Sequence, residues 1–297
     1  AFLRRNGADV VRGLLNFLFL YLILKEFYMD IKMIVSDLDG TLFNSDKEEY
    51  EVSKELIEKI HKFEESGGIF TIATGRPVET SIEVAKTIGI KSPYIAYNGA
   101  KIVDVTGKEL YSEKFDLKIF KKFLNDVQNF GVSVIFYDDG QTICLKHTSR
   151  ILIYEKKEKT TCIEAKEDIT DSELQINKIL LIGDVSKITE LWSRLDKNIR
   201  EEFRYVISED DYFEIIKNNV SKGDALKRLK EYLDIEDNQV VTIGNHMNDK
   251  ELIEEGHLGY AVANAVDGLK DIADYVTEGE YESGVIEVIE TYLKGEI

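Results

Sequence analysis

The stretch Met33-Ile-Val-Ser-Asp-Leu-Asp-Gly-Thr-Leu42 decides the reading of this 297-residue chain. Ile34 and Val35 are β-branched and suit a buried strand. The strand runs into two carboxylates, Asp37 and Asp39, with one residue between them. Side chains two apart in an extended segment point the same way, so both acids can face one small space past the strand's end. Gly40 lets the chain turn, and Thr41 follows. Two acids so placed repel each other unless a cation, a proton or hydrogen bonds compensate. Taken alone, Asp-x-Asp-Gly-Thr reads equally well as a polar turn closing a strand. The remaining chain decides between the two.

The length suffices for one large or two ordinary domains with real cores. With 43% hydrophobic and 32% charged residues, the composition is that of a globular protein. The formal net charge of −18 argues against nucleic acid or an anionic membrane as a partner of the whole surface. An acidic protein that handles an anionic substrate needs local positive charge or a metal. The two cysteines, Cys144 and Cys162, lack metal-ligand spacing and form no disulfide framework, which predicts a reducing, cytoplasmic setting. Arg4, Arg5 and Arg12 precede an apolar run over residues 14–24. The run is short for a membrane span, which needs roughly 20 residues, and no small-x-small cleavage site follows. Residues 1–28 are therefore expected to be an extension outside the fold, with a membrane anchor as the alternative.

Downstream of the opening strand the order is helix 53–65, strand 69–73, a helix from Pro77 to Ile88, and strand 94–97. That alternation predicts right-handed crossovers and a parallel sheet. The rhythm then changes to hairpins and helices. A hairpin is expected over 101–111, a helix over 116–130, strands over 132–137 and 142–147, and a solvated loop or helix end over 155–160. Further on come a strand over 176–182, one helix over 186–199, and a hairpin over 205–216. These elements suggest an α+β insert with its helices on one sheet face. From Asn218 the βα rhythm returns, with a helix after Lys222, strand 239–243, strand 259–262, a helix through Val266, Leu269 and Ile272, and a closing helix over 285–293.

Four polar loops thus stand beyond buried strands or at a helix start: Asp37 to Thr41, Thr74-Gly75-Arg76, Ser221-Lys222, and Gly244-Asn-His-Met-Asn-Asp249. Open parallel sheets bind ligands outside the carboxyl ends of their strands. The set holds two acids, a hydroxyl, an ammonium and an amide–acid pair, a kit that fits phosphoryl transfer through a carboxylate nucleophile. The acids at Asp138, Asp139, Asp210 and Asp211 read as hairpin turns, and Asp46 as a cap or loop acid. For Arg76, phosphate binding and pairing with an acid are equally open. His246 reads as a solvent or gate residue.

With these motifs in this order, the chain resembles the haloacid dehalogenase superfamily of phosphohydrolases in its Cof-type branch, from about Met29 onward. The resemblance implies a Rossmann-like α/β core over 29–112 and 217–297, interrupted by a C2B-type α+β cap over 113–216. It implies that Asp37 attacks phosphorus and that Asp39 serves as acid and then base. Thr74 and Lys222 complete the catalytic set. Thr74, Gly75, Asn98, Lys222 and Asn248 would bind the phosphate or substrate. Mg²⁺ would be held by Asp37, Asp39 through its carbonyl, Asn245 and Asp249. The expected substrate is a small phosphorylated metabolite, a sugar phosphate above all; a phosphomannomutase-like mutase and a non-catalytic binder are the alternatives. One departure matters: the family carries an acid where this chain has Asn245, so the pull on a metal is expected to be weaker.

Overall fold

The computed structural model describes residues 31–44, 52–138, 140–165, 169–171 and 173–293. The expected extension over 1–28 and the acids Asp46 and Asp139 lie outside them. Strand β1 (Met33–Ser36) is buried throughout. The helix Lys54–Glu65 follows, started by Ser53, whose hydroxyl accepts from the Leu56 N–H at 3.0 Å. Its stripe of Leu56, Ile60 and Phe63 is buried. Strand β2 (Ile69–Ile72) pairs parallel to β1. The helix Val78–Ile88 then begins after Pro77 and ends at Gly89 with φ of 84°.

Strand β3 (Tyr94–Ala96) meets β2 only through a bridge between Ala73 and Ile95. It opens instead a three-stranded antiparallel sheet with β4 (Lys101–Val103) and β5 (Glu109–Ser112). The third strand expected in the parallel sheet is therefore at its margin.

The insert runs through β6 (Phe115–Asp116), β7 (Ser133–Asp138), β8 (Gln141–Cys144), β9 (Cys162–Glu164), β10 (Gln175–Ile176), β11 (Ile179–Ile182), β12 (Phe203–Glu209) and β13 (Tyr212–Lys217). Six of these form a sheet in the order β12-β13-β11-β7-β8-β9, antiparallel except between β8 and β9. Period-two patterning sorts its side chains. Val134, Phe136, Ile179, Leu181, Phe213 and Ile215 face a core built with Phe120 of the turn Leu117–Phe120 and with Phe123, Leu124 and Trp192 from the helices Lys121–Asn129 and Val185–Ser193. Ile135, Tyr137, Leu180, Ile182, Tyr212 and Ile216 belong to the other face, in one apolar cluster with the parallel-sheet half.

Two expectations about this insert need correction. The 155–160 run is a helix end, one of its two expected readings, and the helix is Ser149–Glu158. Its exposed Leu152 and Ile153 blur the apolar period, while Ile151 and Tyr154 are buried. That helix sits on the opposite sheet face from the other two, so the insert's helices are not all on one side. The single helix expected over 186–199 is two, Val185–Ser193 and Lys197–Glu202.

The chain returns through the helix Lys222–Leu233 to β14 (Val240–Gly244), β15 (Leu258–Ala261) and β16 (Tyr275–Val276). The helix expected through Ile272 is a single turn, Asp267–Lys270. The parallel sheet has the order β16-β15-β14-β1-β2. From β1 the chain goes one way to β2 and later returns on the other side at β14. That reversal opens a crevice at the carboxyl end of β1, where such sheets bind ligands. Among the described residues no helix is long and apolar enough to cross a membrane.

Candidate active site

Strand pairing gathers the loops at this crevice. The Asp37 N–H donates to Ile243 O and the Ala73 N–H to Ser36 O, both at 2.9 Å. The segments leaving β1, β2 and β14 therefore start side by side. The fourth, Ser221-Lys222, is brought in by close backbone approach. A Cβ on Gly99, whose φ is 100°, would lie 2.0 Å from Ser221 O, so only glycine lets the 97–99 turn pack there.

Asp37 is buried at 4% exposure. Its Oδ1 accepts from Lys222 Nζ at 2.6 Å, and its Oδ2 from the Thr41 hydroxyl at 3.1 Å. Lys222 Nζ also donates to Asp249 Oδ1 at 2.6 Å. Burial, then the Asp249 charge, pushes the Asp37 carboxyl up to about 7 against the pull of Lys222. Burial presses on the Lys222 ammonium too, but Asp249 and Asp37 outweigh it and hold its pKa above the usual lysine value.

Asp39 faces the same space but another partner. Arg76 grips it bidentately, Nε to Oδ2 at 2.8 Å and Nη2 to Oδ1 at 2.7 Å. Burial pushes Asp39 up, yet the guanidinium outweighs it and holds the carboxyl below its usual range. Of the two roles open for Arg76, the geometry shows the acid pair. The fully buried Thr74 receives the Arg76 N–H on its Oγ1 at 3.0 Å, which leaves its hydroxyl proton to donate elsewhere.

Asp37, Asp39, Gly75, Asn245 and Asn248 line one cavity of about 630 Å³, closed on its far side by Tyr137, Lys178, Tyr212 and Glu214 of the insert. Lys222 and Asn98 open instead on an adjoining cavity of about 420 Å³, which shares His246 and Asn248 with the first. Across the boundary Lys178 Nζ donates to Gly75 O at 2.8 Å, and within the insert it donates to Glu214 Oε1 at 3.0 Å. The Asn98 amide donates to Glu214 Oε2 and receives the Asn248 amide at 3.4 Å. The insert thus docks on two loops expected to hold substrate. Sequence reading missed Lys178, Glu214 and also Lys157 and Glu158, which line the larger cavity. A lone acid within the run Tyr212-Phe-Glu-Ile-Ile216 of β13 was the available signal for Glu214.

Asp249, expected as a metal ligand, uses both oxygens elsewhere. Oδ1 holds Lys222, and Oδ2 accepts from the backbone N–H groups of Asn245 at 2.9 Å and His246 at 3.2 Å. The Asn245 amide has two orientations. With oxygen inward it faces an acceptor carboxylate and an acceptor carbonyl, relieved only by the Thr41 hydroxyl at 3.0 Å. With nitrogen inward it donates to Asp39 O at 3.1 Å, Asp37 Oδ2 at 3.2 Å and Thr41 Oγ1 at 3.0 Å. The second orientation satisfies the neighbours and is the one assigned. Among the described residues no group of three or more His, Cys, Asp and Glu side chains is arranged to hold a metal. The oxygens that do converge come from a carboxylate, a backbone carbonyl and, when turned, an amide. An all-oxygen set of that kind fits Mg²⁺ and not a thiolate- or imidazole-seeking metal.

The parallel sheet, the loop set at its switch point and the docked insert define a hydrolase fold with Asp37 set in its crevice. The model of the haloacid dehalogenase-like hydrolase family matches residues 34–289, and the chain belongs to that family. It is similar to phosphatase YwpJ of Bacillus subtilis, 27% identical over 89% of this chain and 100% of the relative. It is also similar to the 5-amino-6-(5-phospho-D-ribitylamino)uracil phosphatase YcsE of the same organism, 29% identical over 88% of this chain and 95% of the relative. The structure resembles that of a haloacid dehalogenase-like hydrolase from Bacteroides thetaiotaomicron, with a TM-score of 0.77 and 26% identity over 88% of this chain and 98% of that one.

Proposed function

We propose that the chain hydrolyses phosphate monoesters of small metabolites, with Asp37 as the nucleophile. The observation that carries this is the Asp37 carboxylate itself. It is fixed by Lys222 and Thr41 at the mouth of the crevice, in one cavity with a second acid, Asp39. An Asp37 oxygen forms a bond to phosphorus as the ester P–O bond breaks, and the departing oxygen takes a proton from Asp39. Asp39 then accepts a proton from water, whose oxygen attacks phosphorus and releases phosphate from Asp37. Asp39 sits ionised under Arg76, so it must take up a proton and loosen that pair to act as the acid. Lys222 offsets charge on the nucleophile. Thr74, Gly75, Asn98 and Asn248 are assigned to the phosphate or substrate, and residues 113–216 to a cap over the core formed by 29–112 and 217–297.

Mg²⁺ is the proposed cofactor, held by Asp37, the Asp39 carbonyl and Asn245, with Asp249 acting from behind Lys222. When bound, it supplies positive charge to the phosphoryl oxygens. Asn245 brings no charge to that set. Asn245→Asp is expected to lower the Mg²⁺ concentration for half-maximal activity about tenfold or more, because a formal anion next to a divalent cation is worth several kcal/mol before desolvation. Equal half-saturation in titrations of both proteins would contradict it.

A sugar or polyol phosphate is the proposed substrate class, in line with the phosphoribityl compound for which the relative YcsE is named. The cytoplasm is the proposed location. A panel of phosphorylated metabolites tests the reading. Release of inorganic phosphate supports it. An isomerised sugar phosphate without free phosphate would make the protein a mutase, and no turnover on any ester would leave a binding role.

A further inference from the structure

The Asn245 amide does more than fail to supply a charge. Three oxygens, from Asp37, Asp39 and Thr41, surround its nitrogen at 3.0–3.2 Å. Two of them, Asp37 Oδ2 and the Asp39 carbonyl, are the acceptors proposed to turn toward a cation. We infer that the amide stands in for the cation: its NH₂ group closes this oxygen cluster in the free protein, and a divalent cation enters only by turning or displacing it. The inference rests on the reading of this site as the Mg²⁺ site.

The surroundings hold the amide in place. The Asn245 N–H donates to Asp249 Oδ2 at 2.9 Å, and Asn245 O accepts from the Val266 N–H at 2.9 Å. The backbone is thus fixed on both sides, and only the side-chain torsions remain. A Cβ on Gly40 would lie 2.1 Å from the amide, so the glycine makes room for it. Charge points the same way. Asp37 and Asp249 already share one ammonium, Lys222. A carboxylate at 245, a half-buried position, would add a third anion beside that single cation and would need a metal for compensation. The amide needs none, because it turns its positive edge to the acceptors. A cation gains Asp37 and Asp39 O as ligands only after those hydrogen bonds are broken, so occupancy carries a competition that a carboxylate would not impose.

Thermal melting with Mg²⁺ alone as the probe tests this without reference to turnover. Wild type, Asn245→Asp and Asn245→Ala are melted in chelator and in millimolar MgCl₂ at matched ionic strength. A ligand that binds only the folded state raises the melting temperature by mass action. Wild type is expected to melt within about 1 °C in the two buffers. Asn245→Asp is expected to melt lower than wild type in chelator and to rise by about 3 °C or more with Mg²⁺. Asn245→Ala loses the NH₂ group that closes the oxygen cluster, so it too is expected to melt lower than wild type in chelator. Two results overturn the inference: a wild-type shift as large as that of Asn245→Asp, or an Asn245→Ala variant that melts as high as wild type in chelator, which would show that the amide does not close the cluster. Failure of the phosphatase reading would appear separately, as lack of phosphate release by all three.

Discussion

Asp37→Asn is expected to lose phosphate release by about a thousandfold or more while keeping its fold. An amide cannot form the acyl phosphate on which the two-step reaction depends, so the loss is that of the nucleophile. The substitution keeps volume and shape. Its oxygen still accepts from Lys222, which today donates to Asp37 Oδ1 at 2.6 Å. Removing one of two buried acids around one ammonium also relieves repulsion with Asp249, the second cause of the raised Asp37 pKa after burial. The variant should therefore melt no lower than wild type. Activity above one-tenth of wild type in a phosphate-release assay would show that another group makes the first attack.

Lys222→Met should be damaging in a different currency. The side chain is fully buried and donates to both Asp37 and Asp249. Removing one partner of a buried ionic set leaves the others without compensation and costs about 3–5 kcal/mol. For a chain of this size that corresponds to a melting temperature lower by about 5–8 °C. Adding Asp249→Asn to Lys222→Met should recover part of that loss, because one stranded anion is then gone. Thermal melts of the two variants check this; a double variant no more stable than the single would place the damage in packing and not in charge. Activity should remain low in both, since Lys222 also offsets charge at Asp37.

The alternation of strands and helices around β1, β2 and β14 was legible because each is a short apolar run followed by a polar loop. Asp37, Asp39, Arg76, Lys222 and Asn245 were legible as members of those loops. Their pairings were not. Spacing placed Asp37 and Asp39 in one space, but nothing local said that Lys222 would go to the first and Arg76 to the second. Asp249 read as a ligand through the family resemblance; that its Oδ1 accepts from Lys222 and its Oδ2 from two N–H groups of its own loop was not legible. The helix Ser149–Glu158 escaped because Leu152 and Ile153 face outward, and with it went Lys157 and Glu158 on the cavity wall. Lys178 and Glu214 depend on contacts with Gly75 and Asn98, 103 and 116 residues away in the chain. Such pairings follow from how two sheets face each other, and a local pattern does not carry them.

The most direct test of Asp37 as nucleophile is to quench the reaction with acid during turnover of a radiolabelled phosphate ester and map the label. The account predicts a hydroxylamine-sensitive phosphoryl group on the peptide that carries Asp37, absent in Asp37→Asn. Label on any other residue, or full turnover with no covalent phosphoryl-protein at any time point, would contradict it.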